Sequence, residues 1–278
     1  MKKSQIIQKI LLLIFGGLFI FSFTKVMMWF VDSKVANDEI QTISKSTKVS
    51  IIKDDEAKII ETDPDYYRLY KDVDLISVNF DELLKTNNET KGWLKVNNTN
   101  INYPFVQHKD NNYYLKHTYN KKSNGGGWVF LDYRNNANFE DFNTIIYGHG
   151  RKDKTIFGTL GKVLKKGYID KKENQFVLLS TPTKNMTYQI FSAYTIPNTS
   201  DYIKTEFTSD KEKEKFIEMI TSRNELDIDV NVSKDDKILT LSTCHNHEVK
   251  MVVHAKLVKY IERWYNTYDL KEDYYESL

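Results

Sequence analysis

Ile238-Leu-Thr-Leu-Ser-Thr-Cys244 is an apolar, alternating run that ends in the only cysteine of this 278-residue chain. Such a run predicts a strand. A second run, Asn143-Thr-Ile-Ile-Tyr-Gly-His-Gly150, also has a strand pattern and ends in a histidine between two glycines. Glycines at that point let backbone or substrate approach closely. Both reactive side chains therefore fall at strand ends, where a rigid sheet can hold them face to face. A thiol is a weak nucleophile until it ionises. A neighbouring imidazole can take its proton or stabilise the thiolate, then protonate a leaving amine. A third group must stabilise the developing oxyanion.

Around these two runs the chain keeps the same character. From Gly92 onward short β-rich segments recur between turn signals: Trp93–Val96, Ile101–Val106, Trp128–Asp132, Thr144–His149, Gln175–Ser180, Met186–Ile196, Ile238–Cys244 and Met251–Tyr260. Asn97-Asn98, the glycine triplet within Ser123–Gly127, and Asn135-Asn136 mark turns. Phe157–Leu164 and Ser209–Ser222 read as helices. The second has Phe216, Met219 and Ile220 on one face and Thr208 or Ser209 as N-cap. Eight strands with helical insertions predict a mostly-β, closed or nearly closed barrel. No internal repeat or low-complexity tract interrupts it.

The N-terminal third differs. Ile10–Val31 is apolar with one charge, Lys25, and a membrane span needs roughly 20 such residues. Trp29 and Phe30 suit an interfacial belt, and Lys2, Lys3 and Lys9 precede the run, which orients residues 1–9 to the cytoplasm and the rest outward. A retained anchor at 10–31 is favoured over a cleaved signal peptide. The run is long for one, and Asp32-Ser33-Lys34 supplies no small-residue cleavage site. Residues 32–90 read as a polar stalk with helical segments at Asp55–Ile60 and Tyr66–Leu84.

Thr240-Leu-Ser-Thr-Cys244 resembles the T-L-x-T-C signature of sortases, and Asn143–His149 is similar to the strand that carries their histidine. Gly92–Val96, Ile101–Gln107, Asn112–Leu115 and Phe130–Asn135 resemble the class B branch, as does a helix inserted before the Cys strand. The resemblance implies an eight-stranded sortase-type barrel over residues 91–260, followed by a Tyr-rich tail, 261–278. It implies a cysteine transpeptidase that cleaves a C-terminal sorting motif of exported proteins through a thioacyl intermediate. A peptidoglycan precursor or pilin amine then resolves that intermediate. Cys244 would be the nucleophile and His149 the acid/base. Ser242, Asn102 and Leu115 would contact substrate. The enzyme would sit on the cell membrane of a Gram-positive bacterium, its catalytic domain on the extracellular face.

The match departs at one position. Sortases carry a catalytic Arg on the last strand, and here the corresponding run is Lys250-Met-Val-Val-His-Ala-Lys-Leu-Val258. Lys250 becomes the candidate third catalytic group, with Arg134 as a remote substitute. The substitution opens an alternative, a degenerate sortase that holds a peptide as a scaffold without turnover. A thiol hydrolase is a third option.

Cys244-His-Asn-His247 invites a metal reading, but a structural zinc needs four ligands and no second cysteine exists. No metal or other cofactor is expected. His254 reads as a packed strand residue, and His108 and His117 as surface or turn residues. A formal net charge of +2 without a basic stripe argues against nucleic acid as a partner.

Overall fold

The computed structural model describes residues 2–52, 59–63, 70–197, 199–244 and 249–263. Residues 55–58 of the expected helix at 55–60, the start of the one at 66–84, His245, His247 and most of the 261–278 tail lie outside the described residues; Ile60, the end of the first, is in a strand.

Helix α1 (Lys2–Ser46) runs unbroken through the apolar segment. It is the one described helix long and apolar enough to cross a membrane. Its side chains from Ile6 to Val31 are exposed, whereas Ser33, Ala36, Glu39 and Ile43 are buried. Their three- and four-residue spacing forms one helical face, and that face packs on the body of the protein. Residues 32–46 are thus a docked continuation of the helix, not a separate stalk.

Next come β1 (Val49–Ile52), β2 (Ile60–Glu61) and β3 (Leu75–Val78). β1 and β3 form an antiparallel pair, Val49 opposite Val78. The reading of Tyr66–Leu84 as helix is corrected here. Leu75–Val78 is a strand, and only Asp81–Thr86 (α2) is helical among its described residues. Leu75-Ile-Ser-Val78 is short and rich in β-branched residues, a pattern that periodicity alone leaves ambiguous.

The barrel consists of β4 (Thr90–Val96), β5 (Asn102–Val106), β6 (Phe130–Leu131), β7 (Asn143–His149), β8 (Phe176–Ser180), β9 (Lys184–Pro197), β10 (Ile238–Cys244) and β11 (Val249–Glu262). The hydrogen-bonded order is β10-β7-β6-β5-β4-β8-β9-β11, and β10 pairs with β11 to close it. Two-residue β2 adds at the edge of β11. Phe157–Leu164 forms a short 3-10 turn over Leu160–Leu164 in place of a longer helix.

Two apolar clusters hold these elements. The larger fills the barrel with Trp93, Phe105, Trp128, Ile146, Leu179, Leu241 and Val253 among others. The smaller lies outside it, where α3 (Asp210–Ser222) sets Phe216 and Ile220 against Phe191, Tyr194, Tyr202, Ile238 and Val252. β7 and β10 run parallel and are covered on both faces, so their residues are nearly all buried. That is why both read as continuous apolar runs. A buried ion pair of Lys256 with Asp63 and a bond from Lys259 Nζ to Tyr70 O (3.1 Å) fasten the N-terminal segment to β11.

Candidate active site

The closing strands fix the site's positions. β10 lies parallel to β7 in a register that pairs Ser242 with Tyr147 and Cys244 with His149. Neighbouring strands sit about 4.8 Å apart, so paired residues are adjacent. On the other side β10 is antiparallel to β11, with Thr240 opposite His254 and Ser242 opposite Val252. Met251 N donates to Thr243 Oγ1 at 2.8 Å. Cys244 stands two residues after Ser242 on β10 and Lys250 two residues before its partner Val252 on β11, so strand alternation places both positions on the Ser242–Val252 face.

Alternation separates the two faces of these strands. Thr240 Oγ1 bonds Asn143 Oδ1 (2.6 Å) and His254 Nδ1 (2.9 Å) on the outer face, beneath α3 and Tyr202. Ser242 Oγ meets Tyr202 OH at 2.9 Å on that same face. Lys250 Nζ donates to Thr199 O at 3.2 Å and lies 5.8 Å from the Tyr202 ring centroid. The ammonium therefore points to the Ser242 side of the sheet. Tyr202, which sequence reasoning missed, links position 242 to position 250. It stands in the connection between β9 and α3, where no pattern announces it.

His149 is half-buried, and its imidazole is oriented from below. Nε2 lies 2.9 Å from Leu115 O. A carbonyl only accepts, so this contact puts the proton on Nε2 and leaves Nδ1 as the basic nitrogen of the neutral ring. Gly127 closes the cradle. Its φ is +60°, and a Cβ there would fall 2.5 Å from Tyr114 O and 2.8 Å from His149 Cδ2. The carbonyl of His149 accepts from both Arg151 N and Phe157 N at 3.0 Å, which fixes the strand end. Beside it Arg151 pairs with Asp153 at 2.6 Å. Burial pushes the Asp153 carboxyl up, but bonds from Arg151 and Thr155 outweigh it and hold the group well below the usual carboxylate range.

The remaining expected residues separate. Leu115 reaches His149, through its carbonyl. Ser242, expected to contact substrate, is almost fully buried, and its hydroxyl meets that of Tyr202. Asn102 lies on β5, with β6 between it and β7, and its Oδ1 accepts from Trp93 Nε1 at 2.7 Å. The structure does not bring it to the His149–Cys244 level. Arg134 is bidentate on Asp132, Nε–Oδ1 at 2.9 Å and Nη2–Oδ2 at 2.6 Å. Its Nη2 also donates to Ile203 O at 3.1 Å, so the guanidinium is committed to Asp132 and to the segment beside Tyr202. His254 is buried between Thr240 and Tyr194 OH (Nε2, 2.9 Å), a structural role. Among the described residues no three His, Cys, Asp or Glu side chains converge to hold a metal ion.

Comparison with known proteins identifies the family of this barrel. The sortase domain family matches residues 94–258. Sortase B of Listeria monocytogenes is 34% identical over 275 residues, covering 93% of this chain and 99% of the relative. Sortase B of Staphylococcus aureus is 33% identical over 184 residues, covering 65% of this chain and 75% of the relative. Among solved structures, sortase B from Bacillus anthracis in complex with AAEK1 superposes with a TM-score of 0.65 at 33% identity, covering 84% of this chain and 99% of that one. The Staphylococcus aureus sortase B–substrate complex gives 0.61 at 33% identity, covering 65% of this chain and 84% of that one.

Proposed function

The chain belongs to the sortase family, and on that premise we propose that it is a class B-like transpeptidase in which Cys244, His149 and Lys250 act together. The observation that carries this reading is the β7–β10 register that sets Cys244 beside His149, with Lys250 two residues from Val252, the β11 partner of Ser242. The Cys244 thiolate attacks the scissile carbonyl of a sorting motif in an exported protein. The ammonium of Lys250 stabilises the oxyanion as it forms. His149 gives a proton to the leaving amine, and a thioacyl intermediate results. An incoming amine, from a peptidoglycan precursor or a pilin, then attacks the thioester carbonyl. It loses its proton to His149 and expels the thiolate, which restores the enzyme. Helix α1 anchors the protein in the membrane with the barrel outside the cell.

The test presents the purified protein with a set of C-terminal sorting peptides, with and without an amine acceptor, and reads products by mass. The expected result is an amide-exchanged product whose formation is abolished in Cys244→Ala and falls by about 10²–10⁴-fold in His149→Ala. Wild-type turnover in His149→Ala sinks the mechanism. Hydrolysis without exchange in the presence of amine points to the hydrolase reading.

The scaffold reading keeps one observation in its favour, Lys250 where the family places Arg. Its marker is an inert thiol. Rapid alkylation of Cys244 that His149→Ala slows supports the enzyme, and no alkylation of the folded protein supports the scaffold.

A further inference from the structure

We propose that the juxtamembrane turn of α1, Asp32–Ser33, is a positioning element for His149, so that the membrane anchor completes the active site it carries. The inference rests on the catalytic pair proposed above. Asp32 follows directly on the apolar segment, and it grips the glycine loop at two points. Its Oδ2 accepts from Gly125 N (3.2 Å) and its carbonyl accepts from Asn124 Nδ2 (3.0 Å). Asn124 is buried and ties the loop together, since its Oδ1 accepts from Gly126 N at 2.7 Å and its N donates to Lys116 O at 2.9 Å. Ser33, also buried, accepts from Arg151 Nη2 at 2.8 Å.

Both grips act on the cradle of the imidazole. Gly125 and Gly126 lead into Gly127, whose backbone lies against the His149 ring and the Leu115 carbonyl. Arg151 is two residues past His149, and its guanidinium runs across Gly126 so closely that a Cβ there would fall 1.3 Å from Nη1. The loop and the strand end are thus clamped from one side by two adjacent residues of a single helix turn. Further along, Glu39 Oε1 accepts from Thr118 Oγ1 at 2.9 Å, which holds the same helix to the segment that follows Leu115. A flexible tether has no need of such contacts. A helix that carries them transmits its own placement to the histidine.

The test uses the full chain in lipid nanodiscs, with iodoacetamide as the probe. Cys244 is the sole cysteine, so the alkylation rate reports one thiol. Rate against pH gives its apparent pKa, which depends on the neighbouring imidazole. His149→Ala sets the profile of the thiol without its partner. Asp32→Ala/Ser33→Ala is expected to move the profile toward that of His149→Ala by about half a pH unit or more, with the thermal midpoint kept. Asp32→Asn/Ser33→Thr retains the acceptor oxygens and is expected to match wild type. A folded Asp32→Ala/Ser33→Ala protein with the wild-type profile overturns the inference while leaving the catalytic pair intact. A profile unchanged in His149→Ala overturns both.

Discussion

Lys250 carries a compact ammonium with three rotatable donors where the family places a planar guanidinium fork. One donor is engaged by Thr199 O and the charge faces the Tyr202 ring, which leaves a point charge on the Ser242 side of the sheet. Lys250→Ala is expected to lower kcat/KM for peptide cleavage by about 10²–10³-fold, the usual loss for one oxyanion donor. Lys250→Arg is expected to equal or exceed wild type. Equal rates for Ala and wild type remove Lys250 from the mechanism. Gly127 makes a second demand at this scale. An alanine there meets a left-handed φ, which costs about 1–2 kcal/mol, and it presses on Tyr114 O and His149 Cδ2. Gly127→Ala is expected to melt earlier and to lose about 10²-fold in kcat through a displaced imidazole. A variant with unchanged kcat shows that the cradle does not set the ring. The sequence made Cys244 and His149 legible because each ends an apolar strand of its own. It left Gly127, the Leu115 carbonyl and Tyr202 hidden. A backbone acceptor has no signature, and a glycine in a triplet announces a turn without saying what the turn touches.

Helix α3 was legible because its determinants are local. Ser209 caps it, accepting from Glu212 N, while the Glu212 carboxylate reaches back to Thr208 N at 2.8 Å. Phe216 and Ile220 recur on the face that the spacing predicts. Ser209→Ala is expected to cost about 1 kcal/mol and Phe216→Ala about 3–5 kcal/mol, both read by urea unfolding. Phe216 packs in the cluster with Tyr202, which braces Ser242 beside the site. Phe216→Ala is therefore expected to lower turnover as well, whereas the exposed cap is expected to spare it. A Phe216→Ala protein that loses stability but keeps full kcat shows that α3 supports the barrel only. The eight barrel strands were legible by the same local logic, to within a few residues at their ends. β3 was not, because its identity comes from Val49–Ile52, a partner distant in sequence. Nor was the docking of α1 beyond Val31. Ser33, Ala36, Glu39 and Ile43 form a face with only two apolar members, and nothing in the sequence names the surface it meets.

At the scale of the whole molecule, burial on the outer face of β10 and β11 ties stability to pH. His254 is fully enclosed, and burial first, then the Arg223 charge, pushes its imidazole down to about 3. An unfolded chain takes up that proton near pH 6.5. Between those values the unfolded state binds one more proton than the folded state, so stability falls as pH falls, by about 1.4 kcal/mol per unit. Below about pH 4 the carboxyls add to the loss. Asp132, in the interior beside Arg134 and Tyr147, and Asp153, beside Arg151, both have depressed folded values. Their contribution is complete above the unfolded carboxylate range and drains as pH drops through the folded one. Two windows follow, one owned by His254 and one shared by aspartates. Urea unfolding monitored by the buried Trp93 and Trp128 between pH 7 and 4 isolates the first. Wild type is expected to lose a few kcal/mol across it. His254→Gln is expected to start about 1–3 kcal/mol lower, through imperfect bonds to Thr240 and Tyr194, and to lose most of the slope. If His254→Gln keeps the wild-type slope, the proton uptake belongs to another group, and the outer face is not what makes this barrel acid-sensitive.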